Sequence, residues 1–186
     1  EGQAQAQAQL DQLLEDFPSA MQETMQRMWS SKLGLPSADD TMVQELLKLL
    51  VESSADYSMF FRRLSDLPEQ IEPLRDCFYL PLSAPLESQW NDWLLRWRAQ
   101  WPSGVEPSVI SAGMRRVNPA ITWREWLIAP AYQQAAEGDT SLITELQQLF
   151  STPYETPSPD MAARYDRLKP REFFSAGGVS HYSCSS

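Results

Sequence analysis

Apolar residues recur at steps of three and four along most of the chain, the spacing that places side chains on one face of an α-helix. The first such stripe consists of Leu10, Leu13, Leu14, Phe17, Met21, Met25 and Met28. Pro18 lies within it and lacks an amide donor, so it should either kink the helix or open a second helix near Ser19. Gly34 and Pro36 then predict the end of the helix.

Six further helices are predicted by similar stripes and by the residues that bound them. Asp39 or Asp40 can cap one helix, and Ser53, Ser54 or Asp56 can cap the next, by accepting hydrogen bonds from first-turn amides. The six predicted helices cover residues 43–51, 57–65, 90–101, 106–117, 123–137 and 140–150. Between residues 67 and 86, four prolines favour an extended connection instead.

Beyond residue 151 the pattern changes, because four prolines and the Gly177-Gly178 pair leave room only for short helical pieces and an extended tail. No alternating pattern is long enough to build a sheet. The sequence therefore predicts an all-α irregular helical bundle. Residues 1–151 form its helical region, and residues 152–186 form a proline-rich segment and tail.

Composition and charge exclude several classes of function. The chain has 186 residues, of which 42% are hydrophobic and 22% charged, as is usual for a folded globular domain. Its net charge of −10 disfavours binding to nucleic acid or to anionic membrane surfaces. We find neither a bilayer-spanning apolar run nor a basic leader, and two cysteines are too few for a secreted disulfide scaffold. These features predict a cytoplasmic location, or an organelle in a eukaryote.

The usual catalytic patterns are missing from the sequence. It has no phosphate-binding glycine loop and no paired metal-ligand cysteines, and its single histidine, His181, lies in a tail where solvation is the favoured explanation. The acidic pairs Asp39-Asp40 and Glu137/Asp139 could serve acid–base chemistry or bind a hard cation, but both lie at helix termini, where capping is favoured. We therefore predict no catalytic, cofactor-binding or metal-binding residue in this chain.

The tryptophan-rich stripe has three possible explanations. Trp90, Trp93, Trp97 and Trp101 share one face of a predicted helix. A core-facing stripe is favoured over a surface that stacks a ligand. Alternatively, part of this aromatic surface could meet a neighbouring domain.

Several motifs in a fixed order resemble one protein family. The most specific are Arg116-Val117-Asn118-Pro119, Trp123-Arg124-Glu125-Trp126-Leu127, Ala135-Ala136-Glu137-Gly138-Asp139 and the terminal Ser183-Cys184-Ser185-Ser186; Lys32-Leu33-Gly34-Leu35, Ala55-Asp56-Tyr57 and Phe61-Arg62 precede them. This series is similar to the C-terminal part of selenoprotein O proteins. The chain departs from that pattern at Glu125, in place of the common asparagine, at Pro130, which should interrupt a helix, and in the approach to the tail at Lys169-Pro170.

The resemblance implies a protein-kinase-like enzyme that binds ATP with a divalent metal such as Mg²⁺. Such an enzyme transfers AMP to serine, threonine or tyrosine hydroxyls of protein substrates. Its catalytic groups would belong to a kinase-like core outside this chain, so the chain alone should be inactive and the core of the same protein should be its partner. The alternative is a freestanding helical module that binds a protein partner through its tryptophan-rich surface.

The resemblance also implies a redox role for Cys184, which occupies the position of selenocysteine or cysteine in the family and would pair with a cysteine of the kinase-like core. An ordinary free thiol is the other possibility. Cys77 is a weaker redox candidate, since it suits a small buried or half-buried side chain. A bridge between Cys77 and Cys184 would require their Cα atoms to lie within about 7 Å.

Overall fold

A computed structural model describes residues 2–175, with side chains from residue 5 onward. Cys184 and His181 lie outside the described residues. The helices are α1 (Gly2–Leu33), α2 (Asp40–Glu52), α3 (Tyr57–Leu64), α4 (Ala84–Ala99), α5 (Pro107–Arg115), α6 (Glu125–Ala136), α7 (Ser141–Ser151) and α8 (Pro159–Tyr165), with 3₁₀ helices at Glu72–Cys77 and Arg171–Phe173. In residues 2–175 the only β-type pairing is an isolated bridge between Ala55 and Phe78. The predicted all-α fold class is confirmed.

Acidic residues cap two of these helices, and a third acidic residue bonds to the first turn of another. The Asp39 side chain accepts from the amide of Thr41 at the start of α2, and Asp56 accepts from the amide of Met59 at the start of α3. Asp139 accepts from the amide of Ser141 at 2.9 Å, and this backbone hydrogen bond lowers the pKa of Asp139. The structure therefore gives Asp39 a capping role, and Asp139, one residue before the N-cap Thr140, binds the first amide of α7.

Two prolines lie inside helices that they were expected to disturb. α1 runs unbroken past Pro18, so the alternative of a second helix near Ser19 is wrong, and the alternative of a kink stays a prediction. α6 likewise continues through Pro130, so the predicted interruption of a helix at this residue is wrong. A proline removes one amide donor and crowds one turn, and the hydrogen bonds of the adjoining turns suffice to carry each helix past it.

The connection after α3 is shorter and more ordered than predicted. α4 begins at Ala84, because Pro85 occupies its first turn, where the missing amide is no loss. A 3₁₀ helix with Pro73 near its start fills the middle of the same stretch. The prediction of an extended connection over residues 67–86 is therefore wrong for the 3₁₀ helix in its centre and for its last residues, which belong to α4.

The larger of two apolar clusters is built around the tryptophans of α4. Trp90, Trp93 and Trp97 are fully buried against α2, α3 and the end of α1. Their indole N–H groups donate to Ser53 Oγ at 2.7 Å, to the Met42 carbonyl at 3.1 Å and to the Leu33 carbonyl at 2.8 Å, respectively. The prediction of a core-facing stripe is confirmed for these three residues. The alternative that they form a surface towards a neighbouring domain is wrong.

A second cluster joins α6 and α7 to the segment after residue 151. Trp126, Leu127 and Leu146 pack there with Tyr165 of α8. The backbone also connects the two parts, since the amide of Ala120 donates to the Pro153 carbonyl at 2.7 Å. The described portion of the proline-rich segment thus packs on the helical region, and the domain boundary at residue 151 stays a prediction.

Gly34 lets α1 and α5 approach closely. Its φ of +65° is the left-handed conformation that favours glycine. A Cβ atom at this position would lie 2.7 Å from Ile110 Cγ2 and 2.9 Å from Met114 Cγ. The predicted glycine stop after α1 is confirmed, and the same residue leaves room for the side chains of α5.

In the part of the chain that the structure describes, no helix combines the length and the apolar character needed to cross a membrane.

Candidate functional site

Arg62 of α3 lies at the centre of a buried polar joint. The Arg62 side chain is 7% exposed, and its Nη1 donates to the carbonyls of Arg115 at 3.3 Å, Asn118 at 3.1 Å and Tyr154 at 3.2 Å. These carbonyls lie at the end of α5, in the following turn and in the segment after α7. One guanidinium group therefore joins the end of α5 to two stretches of backbone that are not helical.

Asn118 extends this joint to the end of α1. Its fully buried amide donates to the Lys32 carbonyl at 2.9 Å and to Ser65 Oγ at 3.2 Å. In return, Lys32 Nζ donates to Asn118 Oδ1 at 2.9 Å and lies 4.4 Å from the ring centroid of Phe61. Burial lowers the pKa of Lys32. Both the backbone and the side chain of Lys32 are thus held by one asparagine.

A second joint connects the starts of α3 and α6. Arg124 donates from Nη2 to Asp56 Oδ1 and from Nη1 to Asp56 Oδ2, both at 2.8 Å, and the side chains are 11% and 12% exposed. Nη1 also donates to the Arg167 carbonyl at 3.1 Å, which ties in the segment after α8. Bidentate pairs of this kind fix orientation as well as distance.

The two joints contain residues of the motifs that carry the family resemblance. Lys32, Asp56, Arg62, Asn118 and Arg124 come from five of those motifs, and the structure brings them together as paired groups within the fold. The sequence predicted Asp56 as a possible helix cap, but it did not show the contacts that these residues make with distant parts of the chain. Lys32 and Asn118 are 86 positions apart, and Asp56 and Arg124 are 68 positions apart, so no local pattern could have shown the pairing.

Cys77 is a buried residue of the larger apolar cluster. It is a free cysteine with no exposed surface, and its Sγ lies 3.5 Å from Asp76 Oδ1. Burial, followed by the charge of Asp76, raises the pKa of this thiol above its ordinary range, and a protonated thiol is a poor nucleophile. The expected packing role is confirmed. A redox role for Cys77, and any pairing with Cys184, stay predictions.

Among the described residues, no three His, Cys, Asp or Glu side chains lie close enough together to hold a metal ion. The acidic pairs Asp39-Asp40 and Glu137/Asp139 accordingly do not join into a larger cluster.

The chain leading towards the C-terminus is anchored beside Tyr79. The amide of Lys169 donates to the Tyr79 hydroxyl at 3.2 Å. The ring of Phe174 meets that of Tyr79 edge to face at 5.6 Å, with Lys169 Nζ 5.1 Å from the Phe174 centroid. These contacts fix the course of the chain as far as Phe174. Tyr79, to which the chain is anchored, lies two residues after Cys77 in sequence.

Two of the exposed apolar surfaces in the described part of the chain bear on possible partners. The first is α1, where every side chain from residue 5 to residue 27 is exposed, including the whole apolar stripe from Leu10 to Met25. The second is a groove of about 500 Å³ between α6 and α7, bordered by Tyr132, Ile143 and Trp123. Trp123 is 67% exposed and stacks on Phe150 at 5.1 Å. Neither surface is formed by the tryptophan-rich stripe.

Comparison with known proteins identifies a family model and several relatives that the chain matches. Residues 4–151 match the family model described as "Protein adenylyltransferase SelO". A "Protein nucleotidyltransferase YdiU" of Aromatoleum aromaticum is 31% identical over 182 residues, which cover 93% of this chain and 34% of the relative. The protein of the same name from Vibrio parahaemolyticus is 30% identical over 184 residues, covering 95% and 36%. The chain thus spans about a third of the length of the curated relatives it matches.

Proposed function

Because this chain belongs to the SelO family of protein adenylyltransferases, we propose that it is the C-terminal helical region of a protein nucleotidyltransferase. The complete enzyme transfers AMP from ATP to serine, threonine or tyrosine hydroxyls of other proteins. Attack on the α-phosphorus requires cationic groups and metal-bound carboxylates that spread the charge on the transferring group. Those groups belong to a kinase-like core outside this chain.

The described residues do not fit a site for metal-bound nucleotide. The acidic side chains of the described residues form no group of three that could hold Mg²⁺. We therefore assign ATP and Mg²⁺ to the complete protein and derive no catalytic step from this chain.

One observation carries the proposal: residues of the motifs on which the family resemblance depends connect distant parts of the fold. Arg62 donates to three backbone carbonyls, and Arg124 is engaged by Asp56 and by the Arg167 carbonyl. Asn118 uses both ends of its amide group. Groups engaged in this way are positioned to hold helices in place, which is the role of a scaffold.

The proposed role of the scaffold is to pack against the kinase-like core and to present the terminal Cys184 to it. The anchor of Lys169 and Phe174 on Tyr79 supports this role, because it holds the chain to the bundle only ten residues before Cys184. A disulfide from Cys184 to the core would then close a long loop and restrict the unlinked state of the protein.

AMP transfer tests the proposal directly. The complete protein and the 186-residue chain are incubated with labelled ATP, Mg²⁺ and a bacterial protein extract, and labelled proteins are detected on a gel. We expect labelling by the complete protein alone. Transfer by the 186-residue chain, or no transfer by the complete protein at any metal concentration, would contradict the proposal.

The redox role has a separate test, in which free thiols of the complete protein are mapped under oxidising and reducing conditions. We expect Cys184 to form a disulfide with a cysteine outside residues 1–186 under oxidising conditions. Cys77→Ser serves as a control and should leave this disulfide in place. A Cys184 thiol that stays free under oxidising conditions would refute the redox role.

The burial of three of the four tryptophans in its proposed binding surface disfavours the alternative of a freestanding interaction module, and only Trp101 is half-buried. Trp90, Trp93 and Trp97 have no exposed surface, so they cannot bind a protein partner.

A further inference from the structure

The first helix extends away from the rest of the fold. From residue 28 onward α1 is packed, with Trp29 against Phe61 at 6.0 Å between ring centroids and Leu33 fully buried. Residues 5–27 contain no buried or half-buried side chain. At a rise of about 1.5 Å per residue, this segment, the α1 arm, projects about 35 Å from the bundle.

The α1 arm carries a continuous apolar face that nothing in the described chain covers. Its members and their exposed fractions are Leu10 (51%), Leu13 (68%), Leu14 (65%), Phe17 (60%), Met21 (46%) and Met25 (42%). The intervals of three and four residues place them on one side of the helix. Helices draw most of their stability from burial of such a face, and an isolated helix is only marginally stable in water. A partner that covers this apolar face would therefore stabilise the helix.

The charges on the α1 arm indicate what kind of partner fits. Its polar positions include Asp11, Glu15, Asp16 and Glu23, whereas the first basic residue is Arg27, at the base of the arm. A surface that covers the apolar face would therefore complement these charges if it carried basic side chains along its border.

A second copy of this chain fits these charges poorly. Two arms packed face to face would bring eight carboxylates into one narrow structure, with an Arg27 at each base as the only basic residue. The net charge of −10 on each chain adds to this repulsion.

We propose that the α1 arm docks through this apolar face into an apolar groove, bordered by basic side chains, on the kinase-like core of the same protein. The core is the part of the relatives that this chain does not span, about two-thirds of their length. This inference rests on the proposed function and adds to it the surface by which the scaffold binds the core.

Site-specific photo-crosslinking in the complete protein tests the docking. Benzoylphenylalanine replaces Leu14 on the apolar face or, as the matched control, Ser19 on the opposite side of the same helix. We expect Leu14→benzoylphenylalanine to crosslink to peptides outside residues 1–186, with a yield several-fold above that of the Ser19 variant. Equal yields, or no crosslink from position 14, would overturn the proposal.

Mixing isotope-labelled and unlabelled protein distinguishes the two possible occupants. Crosslinked peptides within one isotopic form support docking on the core of the same chain, and mixed pairs that join two copies of residues 1–186 would overturn it. The crosslink does not require catalysis. Loss of AMP transfer with the crosslink intact would therefore refute the proposed function, whereas AMP transfer without the crosslink would refute the docking.

A pair of charge substitutions gives an independent readout. Leu14→Lys and Gln12→Lys should both leave the Tm of the 186-residue chain unchanged, because both positions are exposed there. In the complete protein, Leu14→Lys should make α1 several-fold more sensitive to limited proteolysis, whereas Gln12→Lys should not. Equal proteolysis of the two variants would contradict docking through this face.

Discussion

Asp56 and Arg124 lie 68 positions apart and form a bidentate ion pair in which each carboxylate oxygen is 2.8 Å from a guanidinium nitrogen. Asp56 also caps α3 through the amide of Met59. One carboxylate thus begins a helix and holds the start of another, which links the α3 side of the larger apolar cluster to the smaller cluster around α6.

Replacing Arg124 with methionine should leave the Asp56 carboxylate buried without its partner. Loss of one member of a buried pair costs about 3–5 kcal/mol in the free energy of unfolding. Urea denaturation of the 186-residue chain measures this cost. The matched control is Arg96→Met, because Arg96 pairs with Glu45 at 2.6 Å with 52% and 40% of the side chains exposed. An exposed pair is worth at most about 1 kcal/mol, so equal losses in the two variants would contradict the structural role of Arg124.

Asn118→Leu should destabilise the fold although the size of the side chain is nearly kept. It would leave the Lys32 carbonyl, Lys32 Nζ and Ser65 Oγ without their amide partner, at about 1–3 kcal/mol for each buried group left unsatisfied. Combining it with Lys32→Met tests the contact itself. Because Lys32 and Asn118 are in contact, we expect the double variant to lose less free energy of unfolding than the sum of the two single variants, by at least about 0.5 kcal/mol. Simple additivity would show that the residues are not coupled.

Gly34→Ala should be more costly than the same substitution at Gly104. Both glycines have positive φ, +65° and +78°, so both variants carry backbone strain. Only at Gly34 would the new methyl group overlap other atoms, those of Ile110 and Met114, while nothing lies within 4 Å of a Cβ at Gly104. Overpacking of this kind costs about 1–3 kcal/mol, and we expect a difference of that size between the two variants in chemical denaturation. Equal losses would show that α1 and α5 are not in close contact at Gly34.

Tyr165→Phe should change how stability depends on alkaline pH. Burial, followed by its hydrogen bond to Glu145, raises the pKa of Tyr165 from 10.0 to about 12. The neutral phenol is therefore favoured in the folded state. Its contribution is fully present below pH 10 and is lost as the pH rises from 10 towards 12.

The free energy of unfolding should consequently fall more steeply in this range for the wild type than for Tyr165→Phe. The raised pKa of Tyr57 and the lowered pKa of Lys32 act in both proteins, so the difference between the two curves isolates Tyr165. Parallel curves would contradict the burial of its hydroxyl group.

The sequence alone determined where most of the helices lie and where several begin. Periodic apolar positions and the caps Asp39 and Asp56 act within a few residues, so a linear reading of the chain is enough to find them. The order of short motifs also sufficed to identify the family. The errors occurred at Pro130 and at the start of α4, where the hydrogen bonds of neighbouring turns or the first-turn position of a proline decided the outcome. At Pro18 only one of the two predicted alternatives, a second helix, was wrong.

Only the tertiary structure decided which apolar stripes are buried and which charges are paired. The stripes of α1 and α4 have the same helical spacing, yet Leu13 is 68% exposed and Trp93 is completely buried. Spacing shows which side chains share a face, but burial depends on what other elements pack against that face. Those elements are brought there by contacts between distant parts of the chain, such as Lys32 with Asn118 and Asp56 with Arg124.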